Sequence, residues 1–452
     1  MSNVRRAPLY VLIVAALVAT GVASSLAKSS NPSTLPNGLA VSTLAESTAL
    51  YCTGLTSSKG GLEGHVTLLN TTGSARNVTI DVVSDTAKSW TGTLRLAPHA
   101  SKSIAPDSVV TGNNFGVALQ ISGGGVVGEE VTSNHEAQAP CISTGVTDWY
   151  AAGFDTTVGS NAELNIFNPT ATPAVFNVST FSSAGFIAPA RFQGISVGPH
   201  AQVEVKLGAQ IVSSTNVGVR VRVLRGSLDI VASQISGSRA SLSAGVASPS
   251  TTFVFPAVTT AQSSTAQLRI ANPGPAPADV TVDVRLTSYT IAPISVTISP
   301  FGSDKVTITP NSAIPAAGYA VLGVTSSEPV VASLATGSDA GLSLSSPEVP
   351  GATFMVADFA GVGFDAANIT NTSSKAVNLT FTSAPIGGAA ASTTTTATLS
   401  ANATVDLRTL ATIGSLHDVW VLVKAARPVV EIAMTLPTSP KGAVVASPLD
   451  GR

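Results

Sequence analysis

Charge is scarce in this chain. Asp, Glu, Lys and Arg make up 11% of its 452 residues, against roughly 25% in an ordinary soluble domain. A cytosolic surface solvated by charge is not what this composition describes. The net charge of −2 leaves no basic face to neutralise phosphates, so nucleic acid is not an expected partner. Aromatic residues are 5% of the chain, which limits the platforms available for stacking on sugars; the tryptophans are Trp90, Trp149 and Trp420. Five histidines offer few general bases. No Gly-Lys dipeptide occurs, which excludes a phosphate-binding P-loop. Sustained helical periodicity is absent beyond the N-terminus. Cysteine is nearly absent too, with only Cys52 and Cys141.

What fills the chain is repetition. A turn opened by asparagine occurs at Asn70 (Asn-Thr-Thr-Gly), Asn168 (Asn-Pro-Thr-Ala), Asn272 (Asn-Pro-Gly-Pro) and Asn371 (Asn-Thr-Ser-Ser), in steps of 98, 104 and 99 residues. A strand-ending turn returns at Pro98, Pro199, Pro300 and Ala401, each 101 residues from the last. A Val/Ile-rich strand returns at Val126-Val127, Ile230-Val231, Val330-Val331 and Val429-Val430. Three landmarks in step over four copies mean an internal repeat of about 100 residues. Any motif seen in one copy can therefore be tested against the other three.

The N-terminus indicates destination. Arg5 and Arg6 precede Ala7 to Ala27, 21 residues without charge. A positive start, an apolar core and the small residues Ser25 and Ala27 are what a signal peptidase reads. The same run is long enough to span a bilayer with the arginines inside. Residues 1–27 are thus a cleaved signal or a retained anchor, and the length of the run favours an anchor, with membrane attachment through residues 7–27. Twin-arginine export is a weaker third reading, since Ala-Pro-Leu after the arginines fits that signal poorly. All three put the remainder outside the cytoplasm. Residues 28–47, rich in Ser, Pro and Asn, read as a spacer. An even pair of cysteines in an exported chain is expected to form one disulfide, Cys52–Cys141, closing the first repeat and worth a few kcal/mol. Two free thiols or half a metal site are the alternative.

Segments such as 65–69, 162–166, 266–270 and 280–284 alternate apolar and polar residues, the mark of a strand with one buried face. Residues 217–223 are the clearest case, with Arg220 and Arg222 on the solvent side. About seven or eight such strands per copy suit an immunoglobulin-like sandwich of two antiparallel sheets; a propeller blade is half as long. The expected fold is all-β: four tandem immunoglobulin-like sandwiches at 48–147, 148–248, 249–350 and 351–452, a semi-rigid string behind an N-terminal hydrophobic helix. The turns at 168–174 and 272–278 read as hairpin loops.

Most motifs fail the comparison between copies. Gly194-Ile-Ser-Val-Gly198 spells a nucleophile elbow, which needs a strand-turn-helix to expose its serine. Ser196 lies inside a strand, and the other copies place Arg95, Thr297 and Thr398 there. Gly123–Gly128 spells a dinucleotide fingerprint, which must open a helix; the segment that follows corresponds to strands in the other copies, so the glycines read as a hairpin turn. Glu129, Glu130, His135, Glu136 and Cys141 form the densest group of potential ligands, in the first copy only. Zinc wants two or more His or Cys at set spacing, so a solvated loop is expected. Asp155, Asp358 and Asp365 lack the Asp-x-Asp spacing of a calcium loop. Trp149 aligns with Phe253 and Phe354 and reads as core, whereas Trp90 and Trp420 have no repeated counterpart and are the candidates for surface binding. The glycosylation sequons at Asn70, Asn77, Asn177, Asn368, Asn371, Asn378 and Asn402 follow from a chain rich in Asn, Ser and Thr. No catalytic residue, metal or cofactor is expected.

Asn168-Pro-Thr with Ala174, Asn272-Pro-Gly with Ala278, Ser327-Glu-Pro-Val-Val-Ala332 and Arg427-Pro-Val-Val430 together resemble an uncharacterised family of actinobacterial exported proteins, over roughly residues 48–448. The first copy departs, with Asn70-Thr-Thr and its glycine run. The resemblance implies immunoglobulin-like repeats behind a signal or anchor, and no assigned activity. The expected function is a non-catalytic cell-envelope scaffold or partner-binding protein; the alternative is a cell-wall glycan-binding protein using Trp90 or Trp420.

Overall fold

The computed structural model describes residues 47–57, 62–132, 137–237, 239–260, 265–286, 290–311, 314, 319–338, 341–345, 353–357, 366–385, 392–411, 419–427, 429–435 and 443–446. The expected signal or anchor, all of the spacer but Ser47, and His135, Glu136, Asp358 and Asp365 lie outside them. Among the described residues no helix is long and apolar enough to cross a membrane.

Strands dominate, as the two-residue alternation requires. The first group is β1 (Ser47–Cys52), β2 (Gly64–Asn70), β3 (Arg76–Ser84), β4 (Ser89–Leu96), β5 (Ser101–Ile104), β6 (Phe115–Ser122), β7 (Val126–Thr132) and β8 (Gln138–Pro140). They pair antiparallel as β1-β6-β3-β4 and β5-β2-β7-β8. The second group is β9 (Asp148–Phe154), β10 (Ser160–Asn168), β11 (Ala174–Ser182), β12 (Gly185–Ile187), β13 (Ile195–Val197), β14 (Ala201–Lys206), β15 (Val217–Arg225), β16 (Asp229–Ser236) and β17 (Arg239–Ser243). Here the order is β9-β15-β11-β12, with β13 also on β11, and β14-β10-β16-β17.

The third group is β18 (Ser250–Thr259), β19 (Thr265–Ala271), β20 (Ala278–Arg285), β21 (Ile294–Ile298), β22 (Ser303–Ile308), β23 (Tyr319–Ser338) and β24 (Gly341–Ser345). The 20-residue β23 serves two sheets, pairing β18 and β20 with its first half and β19 and β24 with its second. The fourth group is β25 (Thr353–Ala357), β26 (Ala366–Asn371), β27 (Val377–Pro385), β28 (Thr393–Leu399), β29 (Thr404–Asp406), a short helix Leu407–Ala411, β30 (Val419–Ala425), β31 (Val430–Thr435) and β32 (Ala443–Ala446), ordered β25-β30-β27-β28 and β29-β26-β31-β32.

One connectivity therefore recurs: strands 1-6-3-4 in one sheet and 5-2-7-8 in the other. An immunoglobulin sandwich places its first strand beside the second and its seventh beside the sixth. Here the first pairs with the sixth and the seventh with the second, so the immunoglobulin order expected from strand count is not the order found. The physical reason lies between strands 6 and 7. Gly123, Gly124 and Gly125, with φ of 83°, 62° and 69°, turn the chain from one sheet to the other instead of folding it back as a hairpin. The turns after Asn168 and Asn272 likewise join strands of different sheets.

Each pair of sheets encloses a core. Val217, Val219 and Val221 of β15 point inward to Trp149 and Phe176 in the second. On the other face of β15, Arg220 bonds Asp148 at 2.7 Å and lies 5.3 Å from the Tyr150 ring centre. Consecutive cores also touch, rather than hanging on linkers as a string. Phe167 of β10 packs with Tyr51, Val83 and Ala118 of the first group, where Gly116 leaves it room: a Cβ at 116 would stand 2.5 Å from its ring. Burying such a phenylalanine is worth about 1.5–3 kcal/mol. Gly218 makes the same allowance for Ala271. Tyr150 and Ala152 of β9 pack with Ala271 and Val331 of the third group, and Arg269 there bonds Asp155 at 3.0 Å and the Gly153 carbonyl. Between the third and fourth groups, Arg285 donates to the Thr372 carbonyl and Asn368 to the Tyr319 hydroxyl, each at 3.3 Å.

The repeated asparagines explain the corners. Crossing from sheet to sheet strips backbone carbonyls of ladder partners, and buried ones must find others. Asn168 Nδ2 donates to the carbonyls of Thr172 (2.8 Å), Val197 (3.3 Å) and Gly198 (2.9 Å), while its Oδ1 accepts from the Thr170 N–H (3.0 Å) and hydroxyl (2.8 Å). Asn70 and Asn371 repeat this set on their own corners, and Asn272 repeats all of it but the hydroxyl bond, Gly274 standing in the place of Thr170. The facing turn is held from its side too. His99, His200, Phe301 and Asn402, all near φ 50°, donate their N–H to Thr72, Thr170, Gly274 and Ser373. All four asparagines are fully buried, so the sequons at Asn70 and Asn371 are structural. In folded protein secreted from a glycosylating host, peptide mass spectrometry is expected to find glycan on the exposed Asn77 and Asn378 and none on Asn70 or Asn371. Glycan on either buried asparagine would refute this account.

Candidate functional site

The stapled corners occupy one end of each sheet pair, where strand 2 meets 3, 4 meets 5 and 6 meets 7. The other connections fall at the opposite end, free of that constraint. Such loops on a rigid scaffold are where binding groups concentrate.

In the first group, this end is organised around 85–88 and 105–114. Asp85 accepts from the Asn113 N–H (2.9 Å) and Nδ2 (3.2 Å), Thr86 donates to the Thr111 carbonyl (3.2 Å), and Lys88 Nζ donates to the Thr111 hydroxyl (2.7 Å). Ser57 is tied in by its N–H to the Asn113 carbonyl at 2.7 Å. Between them lies an open cleft of about 390 Å³, lined also by Asp107 and Val110.

In the second group, two loops are stitched together. Thr156 donates its N–H to the Ser214 carbonyl and accepts from the Ser213 N–H. Asp155 Oδ1 accepts from the Asn216 N–H at 3.0 Å. With Oδ2 on Arg269, the Asp155 carboxylate is committed to structure, which removes it as a calcium ligand. Val158 and Val212 project from these loops, 101% and 72% exposed.

Glu129 and Glu130 of the first copy's acidic group are not in a solvated loop but on β7. Consecutive residues of a strand face opposite ways, and both Glu129 and Glu130 are buried. Glu130 accepts from the Gly54 N–H at 2.6 Å and from the Thr53 N–H. Cys52 and Cys141 are joined in a disulfide, and the Glu130 carboxylate and both sulfurs lie within 4.8 Å of one another. Sulfurs spent on each other are not thiolate ligands. Across the contact between the first two cores, Asp229 is fully buried, its carboxylate without a partner beyond the neighbouring Ile230 N–H. Burial pushes its pKa up to about 8, the Ile230 N–H acting weakly the other way. Burial lifts Glu129 to about 8 as well. Glu130 is raised by burial and then by the Asp229 charge, against its two N–H donors, and Tyr51 is raised by burial and by Asp229.

The remaining candidates fall out plainly. Trp90 shares the inward face of β4 with Leu94 and packs half-buried on the first core, its ring over Gly92. Trp420 stands on β30 in register with Ala357 and Ala384; its side chain lies outside the described part. Trp149 is core, as its alignment with phenylalanines indicated. Ser196 is exposed on β13, with a strand and not a helix following. Sequence reasoning missed an aromatic cluster between the second and third groups, Phe181, half-exposed Phe186 and Phe301, with ring centres 5.6–6.4 Å apart. The one signal for it was Phe301 standing where other copies have His99, His200 and Asn402.

Comparison with the curated proteins finds no match. Among solved structures, a tetra-tandem repeat in the extending region of a large adhesion protein shares 13% identity, covering 84% of this chain and 97% of that one, at a TM-score of 0.12; so low a score carries no argument. The sequence profile that does match is that of a family of unknown function, DUF5719, over residues 136–410. That stretch runs through the second and third cores into the fourth, and the chain belongs to this family.

Proposed function

We propose that the protein is a non-catalytic, extracytoplasmic scaffold of the cell envelope, built of four tandem β-sandwich modules and binding a protein partner through its loop end. Val158 and Val212 carry this reading. Both are exposed apolar side chains on loops already fixed by hydrogen bonds, so a partner would gain their burial with little ordering cost. The filled contacts between cores support a scaffold, since they oppose independent motion of the modules. The disulfide supports an oxidising compartment, with residues 1–27 acting as signal or anchor.

The test is cross-linking of the intact host envelope followed by mass spectrometry, with wild type and a Val158→Asp/Val212→Asp variant. One membrane or wall-assembly protein should be recovered with wild type and lost with the variant. Equal recovery with both, or no protein partner, would overturn the reading. The same digest gives the mature N-terminus: residues 1–27 retained for an anchor, a start near Lys28 for a cleaved signal.

Binding to cell-wall glycan is the second reading, favoured by the polar cleft of the first group. Trp420 remains its aromatic candidate; Trp90, packed on the core rim, suits it less.

A further inference from the structure

We infer that the cleft at the loop end of the first core is a carbohydrate site, formed by Ser57, Lys88, Asp107, Thr111 and Asn113. The inference deepens the glycan reading and is independent of the protein partner. A cleft of about 390 Å³ falls within the usual range for small-molecule sites. Its lining leaves hydrogen-bonding capacity of both kinds unspent. Ser57 is 8% exposed and its hydroxyl, buried in the wall of the cleft, has no partner, a condition that costs free energy. Lys88 spends one of its three donors on Thr111. Having accepted that bond, the Thr111 hydroxyl is left to donate. Asn113 gives its Nδ2 to Asp85 and its main-chain carbonyl to Ser57, which leaves its side-chain Oδ1 as an acceptor. Lys88 and Asp107 line the same cleft without forming an ion pair.

Uncancelled donors and acceptors converging on one open cleft match vicinal hydroxyls, each of which both donates and accepts. An anion would meet the Asp107 carboxylate, and a cation the Lys88 ammonium. A zwitterion would find both charges, but in an open, water-screened site each is worth little. Hydrogen bonding to a neutral sugar does not depend on net charge. Among the described residues no aromatic ring lines the cleft, so the affinity expected is weak, with a dissociation constant of about a millimolar.

Saturation-transfer NMR on the full chain tests this, with glucose and N-acetylglucosamine as probes and glucuronate and glycine as charged controls. Transfer from a neutral sugar is expected, weakened at least about tenfold by Lys88→Ala and by Asp107→Ala, and unchanged by Trp420→Ala. Both substitutions sit at the rim of surface loops, and an unchanged amide spectrum verifies folding. No transfer from either neutral sugar, or binding of glycine or glucuronate alone, overturns the inference. Sugar binding lost with Trp420→Ala but kept by the two cleft variants overturns it too, while leaving the glycan reading standing at another face.

Discussion

Asn168→Ala is expected to lower the stability of the second core by about 3–5 kcal/mol, since each buried group left without a partner costs about 1–3 kcal/mol. The substitution takes a partner from the carbonyls of Thr172, Val197 and Gly198 and from the N–H and hydroxyl of Thr170, at a corner where Asn168 and Val197 are buried, Thr170 and Gly198 half-buried and Thr172 exposed. Water entering the vacated space offsets part of that loss, which is why the expected total is below the sum of five groups. Asn168→Asp has the same shape but turns an acceptor toward three carbonyl oxygens. It should be no milder than alanine at neutral pH, and milder in acid, where the protonated form regains one donor. Trp149 is fully buried in the same core, so its fluorescence during urea unfolding reports the transition in question. A loss under about 1 kcal/mol for Asn168→Ala would mean the corner does not depend on its staple.

Raising the pH should loosen the contact between the first and second cores. Asp229 titrates near 8 in the folded protein against about 3.9 in an unfolded chain, and Glu129 behaves alike. Between those values the folded state keeps a proton the unfolded state has lost. Stability therefore falls with rising pH, by up to about 1.4 kcal/mol per pH unit for each group. It is flat below the unfolded pKa and flat again above the folded one. This is the reverse of a salt-bridged carboxylate, which loses stability in acid. Glu130 and Tyr51 face Asp229 and add to the effect, since ionisation of either raises the free energy of the others. Asp229→Asn should flatten much of the slope, matching wild type near pH 4 and exceeding it by a few kcal/mol above pH 8. Melting temperatures of the two proteins across that range decide the matter. A wild-type Tm that climbs from pH 5 to 8, or equal slopes, would show that these carboxyls do not control stability.

Period-two alternation disclosed the strands because it records which residues face inward, and that is a local property. The exchange of the first and seventh strands between sheets left no such trace. Arg225-Gly226-Ser227 reads as a hairpin turn whichever sheet receives β16. The asparagine and proline landmarks were visible as repeats, but their physical tie was not, because the bonds of Asn168 reach Val197 and Gly198 some 30 residues away. Two readings were within reach of the alternation rule itself. Consecutive glutamates in a strand cannot both face solvent beside a covered sheet, and Trp90, sharing phase with Leu94 and Leu96, belonged to the inner face of β4. The contact of Phe167 with its neighbours across the junction was beyond any local rule, since nothing near Gly116 names its partner.

Gly116 under Phe167 and Gly218 under Ala271 give the first two junctions their own fit, a hollow in one module cut for the side chain of the next. Modules that arose as copies would at first have been interchangeable. These are not: moving the second module behind the third would set Phe167 against Val321-bearing β23, where no glycine hollow has been cut at that register. Chimeras that keep native neighbours together should assemble, and those that reorder them should not. The sequence of modules is thus written into their surfaces as well as into the chain.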